Sequence, residues 1–112
     1  MINYKIIPYD NSEKIVYSLH VDIPFEDLSI IASLFDDLDY FIEWVEGLII
    51  RNVPDYSEPG VIIYQGILWG SHKSKIVELI RDASYIEKEI FFTADLLNLC
   101  KEWRVFIQSK KE

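Results

Sequence analysis

The start of the chain alternates between hydrophobic and polar residues in two runs. Residues 2–8 and 13–22 are rich in β-branched and aromatic side chains, and the turn-forming residues 9–12 separate them. In the second run every other residue is hydrophobic, at Ile15, Tyr17, Leu19 and Val21. A period of two is typical of a strand with one buried face. The pattern therefore predicts an antiparallel β-hairpin.

The hydrophobic spacing changes to three and four after Pro24. The residues that follow this spacing are Leu28, Ile31, Phe35, Leu38, Ile42, Val45 and Ile49. Because such spacing places side chains along one side of a helix, we predict a helix over residues 25–50. Pro24 suits the first turn, and Glu26 and Asp27 suit the positive end of the helix dipole. A break near Ser33, which would give two helices, is the alternative.

Three further segments follow this region. Residues 52–60 contain two prolines and a glycine and are predicted to form a loop. Residues 61–69 are hydrophobic apart from Gln65 and Gly66, which predicts a strand buried on both faces with a bulge or a close backbone approach at Gly66. A short helix is predicted over residues 72–83, with inward-facing residues at Ile76, Leu79 and Ile80.

The last part of the chain predicts a strand and then a helix. Residues 87–93 alternate enough for a fourth strand, and Thr93 is a suitable N-cap for the final helix, with Asp95 in its first turn. The apolar stripe of that helix is Leu96, Leu99, Cys100, Trp103, Phe106 and Ile107. The element order ββαβαβα predicts one α+β domain over residues 1–112. We expect about four strands in a mainly antiparallel sheet, with three helices packed on it.

Composition and charge narrow the classes of function. The chain has 112 residues, of which 50% are hydrophobic, enough for a packed core. A lone cysteine, the lack of a signal peptide and the lack of a membrane-length apolar run favour a soluble cytoplasmic protein. The net charge of −8 argues against partners such as nucleic acid and anionic membranes.

The excess negative charge lies in one segment. Residues 26–46 contain seven acidic residues and no Lys or Arg. The side of the predicted helix opposite its hydrophobic stripe carries Asp36, Asp39, Glu43 and Glu46. Like charges at these spacings destabilise a helix by about 0.2–0.5 kcal/mol per pair. This uncompensated repulsion suggests that a basic partner covers the carboxylates.

Aromatic residues border the acidic side. Tyr40 lies at its edge and Trp44 lies at the border with the core. Aromatic rings supply buried anchors at protein interfaces, and carboxylates steer a basic partner, so the pattern indicates a protein-binding surface. The acidic loop with Asp55, Tyr56 and Glu58 would extend this surface. The alternative is a solvated acidic face that aids solubility, with Trp44 packed against the sheet.

The sequence gives little evidence for a metal site or a catalytic site. Asp36 and Asp37 point in different directions on a helix and cannot chelate one ion together, so neither a metal site nor a cofactor is predicted. Cys100 lies in the apolar stripe of its helix, and His20 alternates with core positions of its strand. Neither residue has a sequence neighbour that would activate it for catalysis. We therefore predict that the protein is not an enzyme.

A second candidate site lies at the predicted start of the helix over residues 72–83. Ser71 or Ser74 would cap this helix, and His72, Lys73 and Lys75 would add positive charge beside its free N–H groups. Such an end can bind an anion. The alternative function is therefore a small-molecule or anion-binding regulatory module that uses the helix N-terminus at Ser71–Lys75.

Two segments, "FDDLDYFIEWVE" and "EIFFTADLLNLCKEWRVFI", contribute to a resemblance between this chain and a known group of proteins. With its size, its single unpaired cysteine and its lack of an active-site motif, the chain resembles the small acidic immunity proteins of bacterial polymorphic and contact-dependent toxin systems. The resemblance implies a non-catalytic cytoplasmic protein that neutralises a cognate toxin. Many such toxins are nucleases with basic grooves, which an acidic surface complements. A homo-oligomer is not predicted.

Overall fold

The computed structural model describes residues 1–80 and 84–110, apart from the side chain of Leu79. The elements are β1 (Tyr4–Asn11), β2 (Lys14–Val21), a 3₁₀ helix (Glu26–Ser33), a 3₁₀ turn (Phe35–Asp37), α1 (Leu38–Ile50), β3 (Glu58–Ile62), β4 (Gln65–Trp69), β5 (Lys73–Leu79), β6 (Tyr85–Phe92) and α2 (Thr93–Ser109). One antiparallel sheet has the order β1-β2, and a second has the order β3-β4-β5-β6. The predicted α+β class is confirmed, but the described residues form six strands in two sheets and not about four strands in one, and the element order differs from the predicted ββαβαβα.

The predicted N-terminal hairpin is confirmed, with β1 ending three residues later than expected and β2 slightly shorter than expected. β1 and β2 pair until Asn11 meets Lys14, so the turn consists of Ser12 and Glu13. Ser12 has a φ of 58°, the sign that two-residue hairpin turns require at their first central position. β1 extends into the turn-rich segment because the ladder satisfies its backbone groups.

The predicted single strand over residues 61–69 is wrong, because the segment folds back on itself. β3 and β4 pair antiparallel, with Ile62 opposite Gln65 and a turn at Ile63 and Tyr64. Ile63 has a φ of 59°, a region that β-branched residues rarely occupy. Neither turn residue is the Gly, Asn or Asp that usually marks such a turn, so the sequence carries no signal for it.

The predicted helix over residues 72–83 is also wrong. Lys73–Leu79 forms β5, and residues 81–83 lie outside the described part of the chain. β5 pairs with β4 and β6, which satisfies its backbone on both sides. Ser74 and Ile76 both point inward with a period of two, and both are buried. The polar Ser74 at an inward position hid this period from sequence inspection.

The predicted single helix over residues 25–50 is wrong, and the alternative of a break near Ser33 is observed. Glu26–Ser33 forms a 3₁₀ helix, in which Leu28 and Ile31 are buried at a spacing that suits three residues per turn. Phe35 then takes a φ of 47° and ends the helical path. Its predicted place in the core is wrong, because the side chain is 76% exposed. The buried residues of α1 are Leu38, Ile42, Val45 and Leu48.

The core is formed by side chains of the four-stranded sheet, both α-helices, the first hairpin and the 3₁₀ helix. The side chain of Trp69 is fully buried, and its ring centroid lies 5.9 Å from Phe41, 5.2 Å from Trp44 and 6.2 Å from Phe91. Edge-to-face contacts at these separations are favourable for aromatic rings. α1 is therefore fixed against the sheet by its aromatic residues.

α2 begins at Thr93 as expected, but the predicted capping role of Thr93 is wrong. No side-chain hydrogen bond caps the helix. The Thr93 hydroxyl donates to the carbonyl oxygen of Gly70 at 2.6 Å and also contacts the Ser74 hydroxyl at 2.7 Å. These bonds satisfy two buried polar side chains and join α2 to β5. Asp95 lies in the first turn, as predicted, and contacts the N-terminal ammonium group at 3.5 Å.

Candidate functional site

Two of the predicted acidic residues of α1 pair with basic residues of α2. Arg104 Nη1 lies 3.0 Å from Asp39 Oδ1, and Lys101 Nζ lies 3.3 Å from Glu46 Oε2. Lys101 and Arg104 are three residues apart, so both lie on the side of α2 that faces α1. The expectation that the carboxylates of this helix lack compensation is therefore wrong for Asp39 and Glu46. The sequence could not reveal this, because the cations come from the far end of the chain.

The remaining acidic residues near α1 have no such compensation. Asp36, Asp37 and Glu43 are exposed, and none forms an ion pair with any residue in the described ranges 1–80 and 84–110. Tyr40 lies beside them with 74% of its surface exposed. We call Phe35, Asp36, Asp37, Tyr40 and Glu43 the acidic–aromatic surface. It contains three of the predicted partner-binding residues and two that sequence reasoning missed.

Phe35 is the more informative of the two additions. A bulky residue with positive φ is a genuine outlier, and strained backbone positions of this kind cost about 1–3 kcal/mol each. Burial of the ring does not offset this cost, because the ring is 76% exposed. No local signal in the sequence could have found this, since the residue fits the helical hydrophobic spacing.

Trp44 packs inward and does not belong to the exposed surface. Its ring lies 5.2 Å from that of Trp69 at an angle of 83° and 6.4 Å from that of Phe41. The side chain is half-buried against the hydrophobic core. The predicted anchor is therefore a packing residue, in agreement with the alternative that placed Trp44 against the sheet.

The three loop residues that were predicted to extend the binding surface contact other parts of the protein. Asp55 Oδ1 accepts a hydrogen bond from the backbone N–H of Lys73 at 3.1 Å. Lys75 Nζ lies 4.3 Å from the centroid of the Tyr56 ring, a cation–π contact. Glu58 Oε2 lies 3.6 Å from Arg51 Nη2. These contacts give Asp55, Tyr56 and Glu58 internal roles, and their predicted role in partner binding stays a prediction.

The predicted anion site at Ser71–Lys75 lacks the helix on which it depended. Lys73 and Lys75 belong to β5, so no free helical N–H groups converge there. The buried Ser74 hydroxyl bonds to Thr93, and Lys75 Nζ lies 3.2 Å from Glu87 Oε1. The interpretation of this segment as a helix N-terminus is therefore wrong.

The surroundings of Cys100 and His20, the two candidate catalytic residues, are those of structural residues. Cys100 is fully buried, and this burial raises the pKa of its thiol to about 12. A thiol held in this way is a poor nucleophile at neutral pH. His20 Nε2 lies 2.9 Å from the Ser18 hydroxyl, a pair that the sequence analysis did not identify. Among the described residues, no carboxylate hydrogen-bonds the imidazole, as the third member of a catalytic triad would.

Searches for other kinds of site and for similar proteins gave no match. Within residues 1–80 and 84–110, no three His, Cys, Asp or Glu residues come together as metal ligands. None of the helices in the described part of the chain combines the length and the hydropathy that crossing a bilayer requires. Comparison with protein-family models, with curated proteins and with solved structures found no protein that matches this chain.

Proposed function

We propose that the protein is a non-catalytic binding protein that neutralises a basic, nuclease-type bacterial toxin in the cytoplasm. The observation that carries this proposal is the exposure of two aromatic rings beside unpaired carboxylates. Phe35 and Tyr40 are 76% and 74% exposed. Covering such rings would remove apolar surface from water, which stabilises a complex by roughly 25 cal/mol per Å² buried. Three carboxylates around the rings favour a cationic partner.

The carboxylates and the rings would act at different stages of binding. Asp36, Asp37 and Glu43 would attract a basic partner over a distance of about a Debye length, and the two rings would be buried on contact. The ion pairs from Asp39 and Glu46 to α2 support this arrangement, since they hold α1 in place before the partner arrives. A groove that binds phosphate is basic, so an acidic surface can occupy it in place of nucleic acid.

The test compares two double variants with the same change in charge. Asp36→Lys with Glu43→Lys reverses the acidic–aromatic surface, whereas Glu78→Lys with Glu89→Lys reverses two exposed residues of β5 and β6. The probe is a bacterial nuclease toxin domain with a basic substrate groove, and the genes that neighbour this protein's gene are the place to look for the cognate one. We expect the surface variant to slow association at least about tenfold at low salt, and the difference to shrink as salt rises.

The control variant corrects for the change in net charge. It should slow association much less than the surface variant, because its lysines lie away from the proposed contact. Circular dichroism would verify that both variants keep the fold. Equal slowing by the two variants would remove the acidic–aromatic surface from the proposal, and toxin activity unaffected by excess protein would reject neutralisation.

A further inference from the structure

A groove separates the start of β2 from the C-terminal half of α2. Its volume is about 370 Å³, within the range of roughly 300–1,000 Å³ that small-molecule sites occupy. Tyr17 from β2 and Trp103 and Ile107 from α2 form apolar walls, and Phe35 lies at the rim. The ring contact between Trp103 and Phe106, with centroids 6.0 Å apart, fixes part of the wall. The groove is therefore a preformed apolar site.

The directions of β2 and α2 determine which residues meet at each end of the groove. Val21 lies opposite Tyr4, whose hydroxyl donates to the carboxylate of Glu102, near the middle of α2. Tyr17 packs edge-on against Phe106, one turn later in α2, with ring centroids 5.0 Å apart. Going backward along β2 thus corresponds to going forward along α2. The start of β2 and the end of α2 lie at the same end of the groove.

Two lysines lie at the end of the groove where the start of β2 meets the end of α2. Lys14 begins β2, Lys110 follows α2, and both line the groove. Lys110 Nζ lies 5.8 Å from the centroid of the Tyr17 ring. Neither lysine forms an ion pair with a residue of the described chain. Asp36 adds one negative charge to the groove, and the C-terminal end of the α2 dipole adds about half of one. The two ammonium groups carry two positive charges, so the positive charge is the larger.

We propose that this groove binds a small amphipathic anion, with its carboxylate between Lys14 and Lys110 and its apolar body along Tyr17, Trp103 and Ile107. Apolar walls with a few polar groups at one end are typical of sites that orient such a ligand. The unpaired lysines are the charge complement of the carboxylate. Phe35 and Asp36 belong both to this groove and to the acidic–aromatic surface, but the head-group test rests on Lys14 and Lys110, which lie outside that surface.

Octanoate is the probe, with octanol and octylammonium as matched compounds that change only the head group. Each is titrated below its micelle concentration into the full chain, and amide shifts are followed by NMR. We expect octanoate to shift residues along β2 and the end of α2 and to bind at least about fivefold more tightly than octanol. Octylammonium should bind most weakly.

Charge reversal assigns the head group to the two lysines. Lys14→Glu with Lys110→Glu should weaken octanoate binding at least about tenfold and leave octanol unchanged. Lys5→Glu is the control, because Lys5 is an exposed lysine of the same hairpin outside the groove. Equal binding of octanoate and octanol, amide shifts elsewhere in the protein, or a groove closed by self-association at the working concentration would each overturn the proposal.

Discussion

The acidic residues in and next to α1 fall into two groups that differ in what lies opposite them. Asp39 and Glu46 face α2, where Arg104 and Lys101 lie 3.0 Å and 3.3 Å away. Asp36, Asp37 and Glu43 face solvent, beside the exposed rings of Phe35 and Tyr40. One group therefore contributes to the packing of two helices, and the other is free to meet a partner.

The difference shows that a run of like charges need not have a single purpose. Ion pairs at an exposed helix contact contribute only about 0–1 kcal/mol each, so the pairs with α2 orient the helices more than they stabilise them. Six of the nine predicted binding residues have contacts within the protein, namely Asp39, Trp44, Glu46, Asp55, Tyr56 and Glu58. The proposal of a basic partner consequently rests on a smaller surface than the sequence indicated.

The largest expected effect is a difference in stability between substitutions on the buried and the exposed sides of α1. Trp44→Ala removes a ring packed against Trp69 and should lower the free energy of unfolding by about 3 kcal/mol. Tyr40→Ala removes a ring that is 74% exposed and should change it by less than about 0.5 kcal/mol. Urea unfolding followed by circular dichroism measures both. Similar losses would mean that Tyr40 is a packing residue and not an available anchor.

A smaller effect is expected at Phe35, where two variants remove the same ring. Phe35→Gly suits the positive φ, whereas Phe35→Ala retains a side chain that this backbone conformation disfavours by roughly 1–2 kcal/mol. We expect the glycine variant to be more stable than the alanine variant by about 1 kcal/mol in thermal unfolding. If alanine is the more stable of the two, the backbone at this position is not strained, and the argument from Phe35 fails.

The smallest expected effect concerns stability, because substitutions in the two groups of carboxylates should change the free energy of unfolding in opposite directions. Asp39→Asn removes the ion pair with Arg104 and should destabilise the protein by about 0.3–1 kcal/mol. Glu43→Gln removes only repulsion and should stabilise it by about 0.2–0.5 kcal/mol. Both changes should shrink in 1 M salt.

A double-mutant cycle checks that difference. Once Asp39→Asn is present, Arg104→Gln should cost little more in urea unfolding, because the pair is already broken. Additive losses from the two substitutions would show that they do not interact. Stabilisation by Asp39→Asn equal to that of Glu43→Gln would remove the distinction between the two groups.

Local patterns in the sequence were sufficient where each residue's environment depends on its near neighbours. The first hairpin follows from period-two alternation, and the hydrophobic stripe of α2 follows from helical spacing, with Leu96, Leu99 and Cys100 buried as expected. The break near Ser33 was foreseen as an alternative. The α+β class required only the presence of both element types in one domain, because the predicted order ββαβαβα was itself wrong.

Local patterns failed where a contact distant in sequence decides the outcome. β5 carries helical hydrophobic spacing, yet pairing with β4 and β6 holds it extended. The turn at Ile63 and Tyr64 contains no turn residue and is imposed by the pairing of β3 with β4. In both segments the backbone hydrogen bonds of the sheet outweigh a weak intrinsic preference.

The sequence by itself determined the class of fold and the concentration of negative charge in residues 26–46. Only the tertiary structure decided which carboxylates remain unpaired, that Trp44 packs inward and that Phe35 points into solvent. The reason is physical: burial and ion pairing depend on which surfaces meet in space, and Asp39 meets Arg104 from 65 residues away. Composition and periodicity contain no information about that contact.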